Sequence, residues 1–200
     1  MELIRKTQSK LDDESDLVNQ CKAGDNSARK DLYLRYSKRL LVVCYRYCGD
    51  VDLAHDLLHD GFIKIYLMIK SFEWRGNGSL ELWMRRVVAN VCLDYLSAQK
   101  KRYEIELTDD DGAIVSEGDP EMIDNDSANQ LSEDQLLGFI ADLPEGYRMV
   151  FNLYVFEKKS HKEIGTLLGI NEHSSTSQLH RAKCMLAKRI NDFIKNETKE

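Results

Sequence analysis

Proline is nearly missing from this 200-residue chain, which has only Pro120 and Pro144, so long helices meet few interruptions and almost all of the chain is expected to be helical. Long apolar runs are missing too. No stretch approaches the ~18–20 residues that a membrane-spanning helix needs, and the N-terminal MELIRKTQSKLDDES lacks the apolar centre of a signal peptide. The expectation is a cytoplasmic protein without membrane insertion. Cysteine is sparse and odd in number: Cys21, Cys44, Cys48, Cys92 and Cys184 lie scattered over expected helices, which excludes a framework of disulfide staples and reads as reduced, packed thiols. There is no Ser/His/Asp arrangement, phosphate-cradling glycine loop or clustered acid pair. Cys44 and Cys48 are four apart, as are His55 and His59. However, the second pair encloses Asp56-Leu57-Leu58 without the glutamate of the H-E-x-x-H pattern, and the cysteines fall in an apolar stripe. No metal and no cofactor are expected.

What is present is charge of uneven sign. The net charge of −6 speaks against a nucleic-acid partner until its distribution is considered. Residues 104–145 contain fourteen Asp and Glu and no Lys or Arg, which leaves the remaining residues at +8. Residues 70–103 and 146–200 each carry +4, so an acidic segment separates two mildly basic ones. Two hundred residues suffice for two small domains. From Tyr103 to about Ser127 no helical or strand period survives among acidic residues, Gly and Pro, which predicts a flexible linker.

Along the first half, Asp16–Cys21 predict a short helix ended by Ala23-Gly24, with Asp25-Asn26-Ser27 as caps for the next. That second helix has an inward stripe of Leu32, Tyr36, Leu40, Val43, Cys44 and Tyr47 and breaks at Gly49-Asp50. A third, Val51 to about Lys70, points Ala54, Leu57, Leu58, Phe62, Ile65 and Ile69 inward. Its other side sets Asp56, Asp60, Ile63, Lys64 and Leu67 along one exposed strip, a mixture of apolar anchors and register-fixing charges that suits a partner helix. Residues 72–79 (FEWRGNGS) read as a loop with aromatics on its N-terminal side. Arg75, Asn77 and Ser79 offer hydrogen bonds, Gly78 allows close backbone approach, and Trp83, Arg85 and Arg86 follow. These are the parts for holding an unstacked base and gripping phosphates of a single strand. A helix from Leu82 to about Arg102 is expected to turn Val87, Val91, Leu93 and Leu96 inward.

After the acidic stretch, helix is expected near Asn129–Ala141 and again from Gly146 to Phe156. Ser160 and Glu163 then form an S-x-x-E capping box, Ile164, Leu167 and Leu168 make an apolar stripe, and Gly169 suits a left-handed helix stop. Ile170 plugs the turn and Asn171 caps a further helix whose inward side is Ser175, Leu179, Ala182 and Leu186. The remaining sides carry His173, Ser174, Thr176, Ser177, Gln178, His180 and Arg181. Two short helices around a glycine turn, the second rich in small polar residues, are what a helix-turn-helix needs to enter a major groove.

With these pieces in order, the chain resembles the bacterial sigma-70 family of RNA polymerase sigma factors, in its small extracytoplasmic-function type. DLLHDGFIKIY (Asp56–Tyr66) is similar to the family's core-binding signature, GNGSLELWMRRVVANVCLDYL (Gly76–Leu96) to its promoter-melting segment, and Leu143–Lys183 to its promoter-binding domain. The resemblance implies an all-α fold of two helical domains joined by an acidic flexible linker: a region 2 domain over 1–102, a linker over 103–128 and a region 4 domain with a helix-turn-helix over 129–200. It implies a non-enzymatic subunit that joins core RNA polymerase, through the β′ clamp helices and the β flap, and directs it to promoter DNA, with an anti-sigma factor as a further partner the family allows. Asp56, His59, Asp60, Ile63, Lys64 and Leu67 would dock on the polymerase. Asn77, Gly78 and Ser79, with Arg75, would capture a flipped minus-10 base, supported by Trp83 through Asn90 with Arg85 and Arg86 near the backbone. Thr176, Ser177, Gln178, His180 and Arg181 would read the minus-35 element while His173-Ser174 meets phosphate. By the same resemblance the acidic linker would imitate nucleic acid in the polymerase's RNA-exit path.

The chain departs from the family's pattern at His59, Gly61, Glu73-Trp74, His173, Thr176 and Gln178. Fewer basic groups on the reading helix imply weak attraction to duplex DNA in the free protein. The competing reading is a helix-turn-helix regulator that works without core polymerase, which would leave the Asp56–Tyr66 strip without a partner; a helical metalloenzyme would need Cys44, Cys48, His55 and His59 to converge.

Overall fold

A computed structural model describes residues 14–102 and 131–197. The expected acidic linker lies outside the described residues. The chain divides into two compact units, Met1–Tyr45 with Val51–Asp94 and Arg46–Asp50 with Tyr95–Glu200. Among the described residues there are helices and turns and no strand.

In the first unit, helix α1 covers residues 14–22. Asp25 caps α2 (Asn26–Cys48), its Oδ1 accepting from the backbone N–H groups of Ser27 and Ala28 at 2.7 and 3.0 Å. Leu32, Tyr36, Leu40, Val43 and Cys44 are all buried along it, as the period requires. Helix α3 (Val51–Met68) runs into a short 3-10 turn, Ile69–Ser71. Its six expected inward residues are all buried, and each large one contributes about 1.5–3 kcal/mol by leaving water.

Helix α4 is Ser79–Arg102, three residues longer at its start than the sequence suggests. Its buried side is Leu80, Met84, Val87, Val88, Cys92 and Leu96, whereas Val91 and Leu93, expected inward, are only half-buried. Helices α3 and α4 meet closely at Gly61, where a Cβ would lie 2.9 Å from Val88 Cγ2. That approach accounts for glycine at this position, since a larger residue would push the helices apart.

The second unit holds α5 (Glu133–Ala141), α6 (Glu145–Val155), α7 (His161–Leu168) and α8 (Glu172–Glu197). Helix α5 begins at Glu133 rather than near Asn129, because Ser132 and Gln135 form a reciprocal capping box that fixes the start. Ile140, Leu143, Ala182 and Leu186 form a buried cluster with Phe139, Tyr147, Phe151 and Met185 packed against it, so α5 and α6 rest on the long α8.

Candidate functional site

Three surfaces carry the residues singled out from the sequence. The first is the outer side of α3. Asp56, His59 and Asp60 are exposed there, and Ile63 and Leu67 stand 47% and 76% open to solvent, a large apolar exposure for a helix with a fully buried opposite face. Lys64 is half-buried and its Nζ lies 3.2 Å from Asp94 Oδ2 on α4, so this amine is partly held within the unit. Met68, 40% exposed, extends the apolar end of the strip. The apolar strip therefore runs one residue past Leu67, where the sequence pattern ends it.

Cys44 on α2 is buried while His55 and His59 on α3 are exposed, so the spacing of the two pairs does not bring them together. Among the described residues no group of three or more His, Cys, Asp or Glu side chains is placed to hold a metal ion.

The second surface is a cleft of about 610 Å³ where the 72–78 loop meets the first turns of α4. Phe72 and Trp83 make its aromatic wall, ring centroids 4.9 Å apart at 38°. Arg75, Ser79, Leu82 and Arg86 line it as well. Ser79 closes the loop on itself: its Oγ donates to the Gly76 carbonyl at 2.6 Å and accepts from the Arg75 N–H at 3.1 Å. The Arg75 guanidinium pairs with Glu73 at 3.3 Å, both groups well exposed and so held only loosely. Asn77 and Gly78 are exposed between these anchors. The structure thus brings Arg75, Ser79, Trp83 and Arg86 to one cleft, while Arg85 and Asn90 are not among its lining residues.

One residue distant in sequence also reaches this loop. Trp74 Nε1 donates to Glu14 Oε2 at 3.3 Å, and Tyr36 Oη donates to Glu14 Oε1 at 2.8 Å. Burial, then the bond to Glu14 and its negative charge, push the Tyr36 phenol well above the ordinary tyrosine range, so it remains a donor.

The third surface is the helix-turn-helix of α7 and α8. The capping box forms as expected, with Glu163 N–H donating to Ser160 Oγ at 3.3 Å and Ser160 N–H to Glu163 Oε2 at 2.9 Å. These bonds, first from the Ser160 backbone, then from its side chain and from Lys159, hold the Glu163 carboxyl below its ordinary range. Gly169 takes φ 68°, the left-handed stop. Gly165 is required for a different reason: a Cβ there would sit 2.7 Å from the Ile170 carbonyl oxygen, so α7 and the turn close on bare backbone. Leu167, expected in the apolar stripe, is half exposed, because so short a helix presents only Ile164 and Gly165 to full burial.

Helix α8 starts under Asn171, whose Oδ1 accepts from Ser174 N–H at 2.6 Å. Ser175, Leu179, Ala182 and Leu186 are buried, so the expected inward side is the observed one. His173, Thr176, His180 and Arg181 are exposed, and Ser174, Ser177 and Gln178 half-buried. The Gln178 side-chain carbonyl would lie 3.5 Å from a Cβ at Gly146, which places it against the first turn of α6. Thr176 Oγ1 donates back to the Glu172 carbonyl at 3.0 Å, leaving its methyl as the outward group, and Arg181 Nη1 donates to Tyr147 Oη at 3.3 Å. His161, on α7, stacks on Tyr154 with centroids 4.7 Å apart, and its Nδ1 lies 3.0 Å from the Oγ of buried Ser175. This contact ties α7 to α8, and no local sequence pattern announces it.

Comparison with known proteins places both described stretches in known families. The family model described as sigma-70 region 2 matches residues 32–102, and that described as sigma-70, region 4 matches residues 133–186. The ECF RNA polymerase sigma factor SigW of Bacillus subtilis (strain 168) is 28% identical over 184 residues, covering 88% of this chain and 96% of that one. The ECF RNA polymerase sigma-E factor of Escherichia coli (strain K12) is 27% identical over 190 residues, covering 90% and 95%. A solved structure of the sigma factor RpoE in complex with the anti-sigma factor NepR from Bartonella quintana covers 80% of this chain and 94% of that one, at 20% identity and a TM-score of 0.44.

Proposed function

The chain belongs to the sigma-70 family as an extracytoplasmic-function sigma factor, a non-enzymatic protein that directs transcription initiation, and from that premise we propose how its surfaces divide the work. The outer side of α3 docks on the β′ clamp helices of core RNA polymerase. Ile63 and Leu67 act as apolar anchors, and Asp56, His59, Asp60 and Lys64 fix register around them. The observation that carries this assignment is the two-faced character of α3: one side is wholly buried, yet the other exposes large aliphatic groups beside carboxylates. A face meant only for water has no use for Leu67 at 76% exposure.

The cleft between the 72–78 loop and α4 receives an unstacked base of the minus-10 non-template strand. Trp83, backed by the buried Phe72 ring, offers an aromatic surface for stacking, and Arg75 and Arg86 supply donors and positive charge toward base and phosphate. Asn77, Gly78 and Ser79 shape the rim, and Arg85 and Asn90 support the strand outside the cleft.

The exposed face of α8 enters the major groove of the minus-35 element. His180 and Arg181 offer hydrogen bonds to base edges, the Thr176 methyl offers an apolar contact, and Ser177 and Gln178 sit at the margin toward α6. The α8 N-terminus at His173-Ser174 meets a phosphate. Residues 1–102 serve as region 2, 129–200 as region 4 and 103–128 as the connection, and the protein works in the cytoplasm. Among the described residues no helix is long and apolar enough to cross a membrane.

The test is a pull-down and abortive-initiation assay with core RNA polymerase from the same source, comparing wild type with Asp60→Arg and Ile63→Glu. Wild type should bind core and support promoter-dependent transcripts, and both variants should lose binding by at least tenfold. Undiminished core binding by both variants would overturn the assignment of the α3 face.

A further inference from the structure

The cleft is built from residues 71–86, yet its loop is held by a residue from outside that segment and outside both stretches matched by the family models. Glu14 lies in α1, and its carboxylate accepts from two donors at once, the Tyr36 phenol at 2.8 Å and the Trp74 indole at 3.3 Å. Tyr36 is buried in α2, so one oxygen of Glu14 fixes the carboxylate to the body of the unit while the other holds the loop. At the far end, Ser79 Oγ ties Gly76 and Arg75 back to the start of α4. Only Arg75 to Gly78 lie between the two anchors, and Arg75 is a wall of the cleft.

We propose that Glu14 is a positioning residue for capture of the melted strand, holding Trp74 so that Arg75 and the loop rim stay where an unstacked base can meet them. The inference rests on the minus-10 reading given above and adds to it a contact from α1. Glu14 touches no nucleic acid. It acts by removing freedom from the loop before the strand arrives, which lowers the ordering cost of binding.

The bond pattern separates this role from simple support of α1. Glu14→Leu removes both hydrogen bonds at similar volume. Trp74→Phe removes only the loop arm, and Tyr36→Phe only the arm to α2. Glu14→Gln preserves both, because its amide oxygen accepts from the indole while its amide nitrogen donates to the phenol oxygen.

The experiment uses holoenzyme assembled from this protein and core RNA polymerase. A randomised single-stranded 12-mer pool is enriched on the wild-type holoenzyme, and the selected oligonucleotide, carrying 2-aminopurine, is titrated against each variant. Glu14→Leu and Trp74→Phe should each weaken oligonucleotide binding roughly fivefold, as expected for loss of one partly exposed hydrogen bond to a charged acceptor. Their combination should be no weaker than either alone, Glu14→Gln should be close to wild type, and affinity for core should not change. Unaltered oligonucleotide binding by Glu14→Leu, or losses that multiply in the double variant, would overturn the positioning role while leaving the cleft assignment standing. Failure of the wild-type holoenzyme to enrich any sequence would overturn the cleft assignment and this role with it.

Discussion

Two glycines in the second unit make a matched experiment on how closely α7 and its turn are packed. Gly165 and Gly138 both sit inside helices, α7 and α5, so replacing either by alanine brings the same gain in helix propensity, about 1 kcal/mol. Their surroundings differ. A Cβ on Gly138 would meet nothing within 4 Å, whereas one on Gly165 would meet the Ile170 carbonyl oxygen at 2.7 Å. Because that obstacle is backbone in a turn already closed by the Ile170 N–H bond to the Gly165 carbonyl at 3.1 Å, the overpacking cost belongs near the top of its usual range, about 2–3 kcal/mol. Gly165→Ala should therefore destabilise by roughly 1–2 kcal/mol net, and Gly138→Ala should stabilise by about 0.5–1 kcal/mol. Urea unfolding followed by far-UV circular dichroism, with the slope checked for constancy, measures both. If Gly165→Ala proves as stabilising as Gly138→Ala, the close approach of α7 to its turn is wrong. The same substitution should also impair promoter use that depends on the minus-35 element, since the angle between α7 and α8 has to open to admit the methyl.

Two more outcomes follow from the same unit. The carboxyl of Glu163 is held below its ordinary range in the folded protein, so the cap it completes stabilises fully above the unfolded glutamate pKa and loses that contribution as pH falls through the depressed folded value. The stability gap between wild type and Glu163→Ala, measured by thermal unfolding from pH 7 to pH 3, should narrow toward the acid end; a gap that widens in acid would contradict this sign. His161→Phe keeps an aromatic ring against Tyr154 but deprives the buried Ser175 hydroxyl of its ring-nitrogen partner, and should cost about 1 kcal/mol in the same unfolding assay. A neutral result would mean that the contact contributes nothing net.

The elements legible from the sequence are those whose information is local. The α3 pattern is unambiguous because its apolar residues repeat on one side only, and all six expected core residues are buried. The α7 start and stop were legible because Ser160, Glu163 and Gly169 act within a few residues of one another. Helix α4 was harder: Leu82 is exposed and Val91 and Leu93 are half-buried, so apolar residues occur around much of its circumference and the period alone misplaces the inward side. The start of α5 is written locally in Ser132 and Gln135, whose capping box sets it later than the sequence expectation near Asn129. For the candidate sites, which residues share a cleft depends on the loop's fold: Arg75, Ser79, Trp83 and Arg86 line one, whereas Arg85 and Asn90, on the same helix as Trp83, do not. Glu14 could not have been found that way, since its link to Trp74 spans 60 residues and follows no motif.

The bare backbone at Gly61 also has a mechanical consequence. Elsewhere, interdigitated side chains between two helices act as a deformable layer that absorbs small displacements by changing rotamer. Opposite Val88 that layer is reduced to one stiff, branched side chain against a backbone, and the Lys64 to Asp94 ion pair bridges the same two helices. Load applied to the outer side of α3 thus reaches α4 with little slack, and α4 is the helix whose first turns frame the cleft. The exposed face of α3 and the frame of the cleft are in this respect one rigid part.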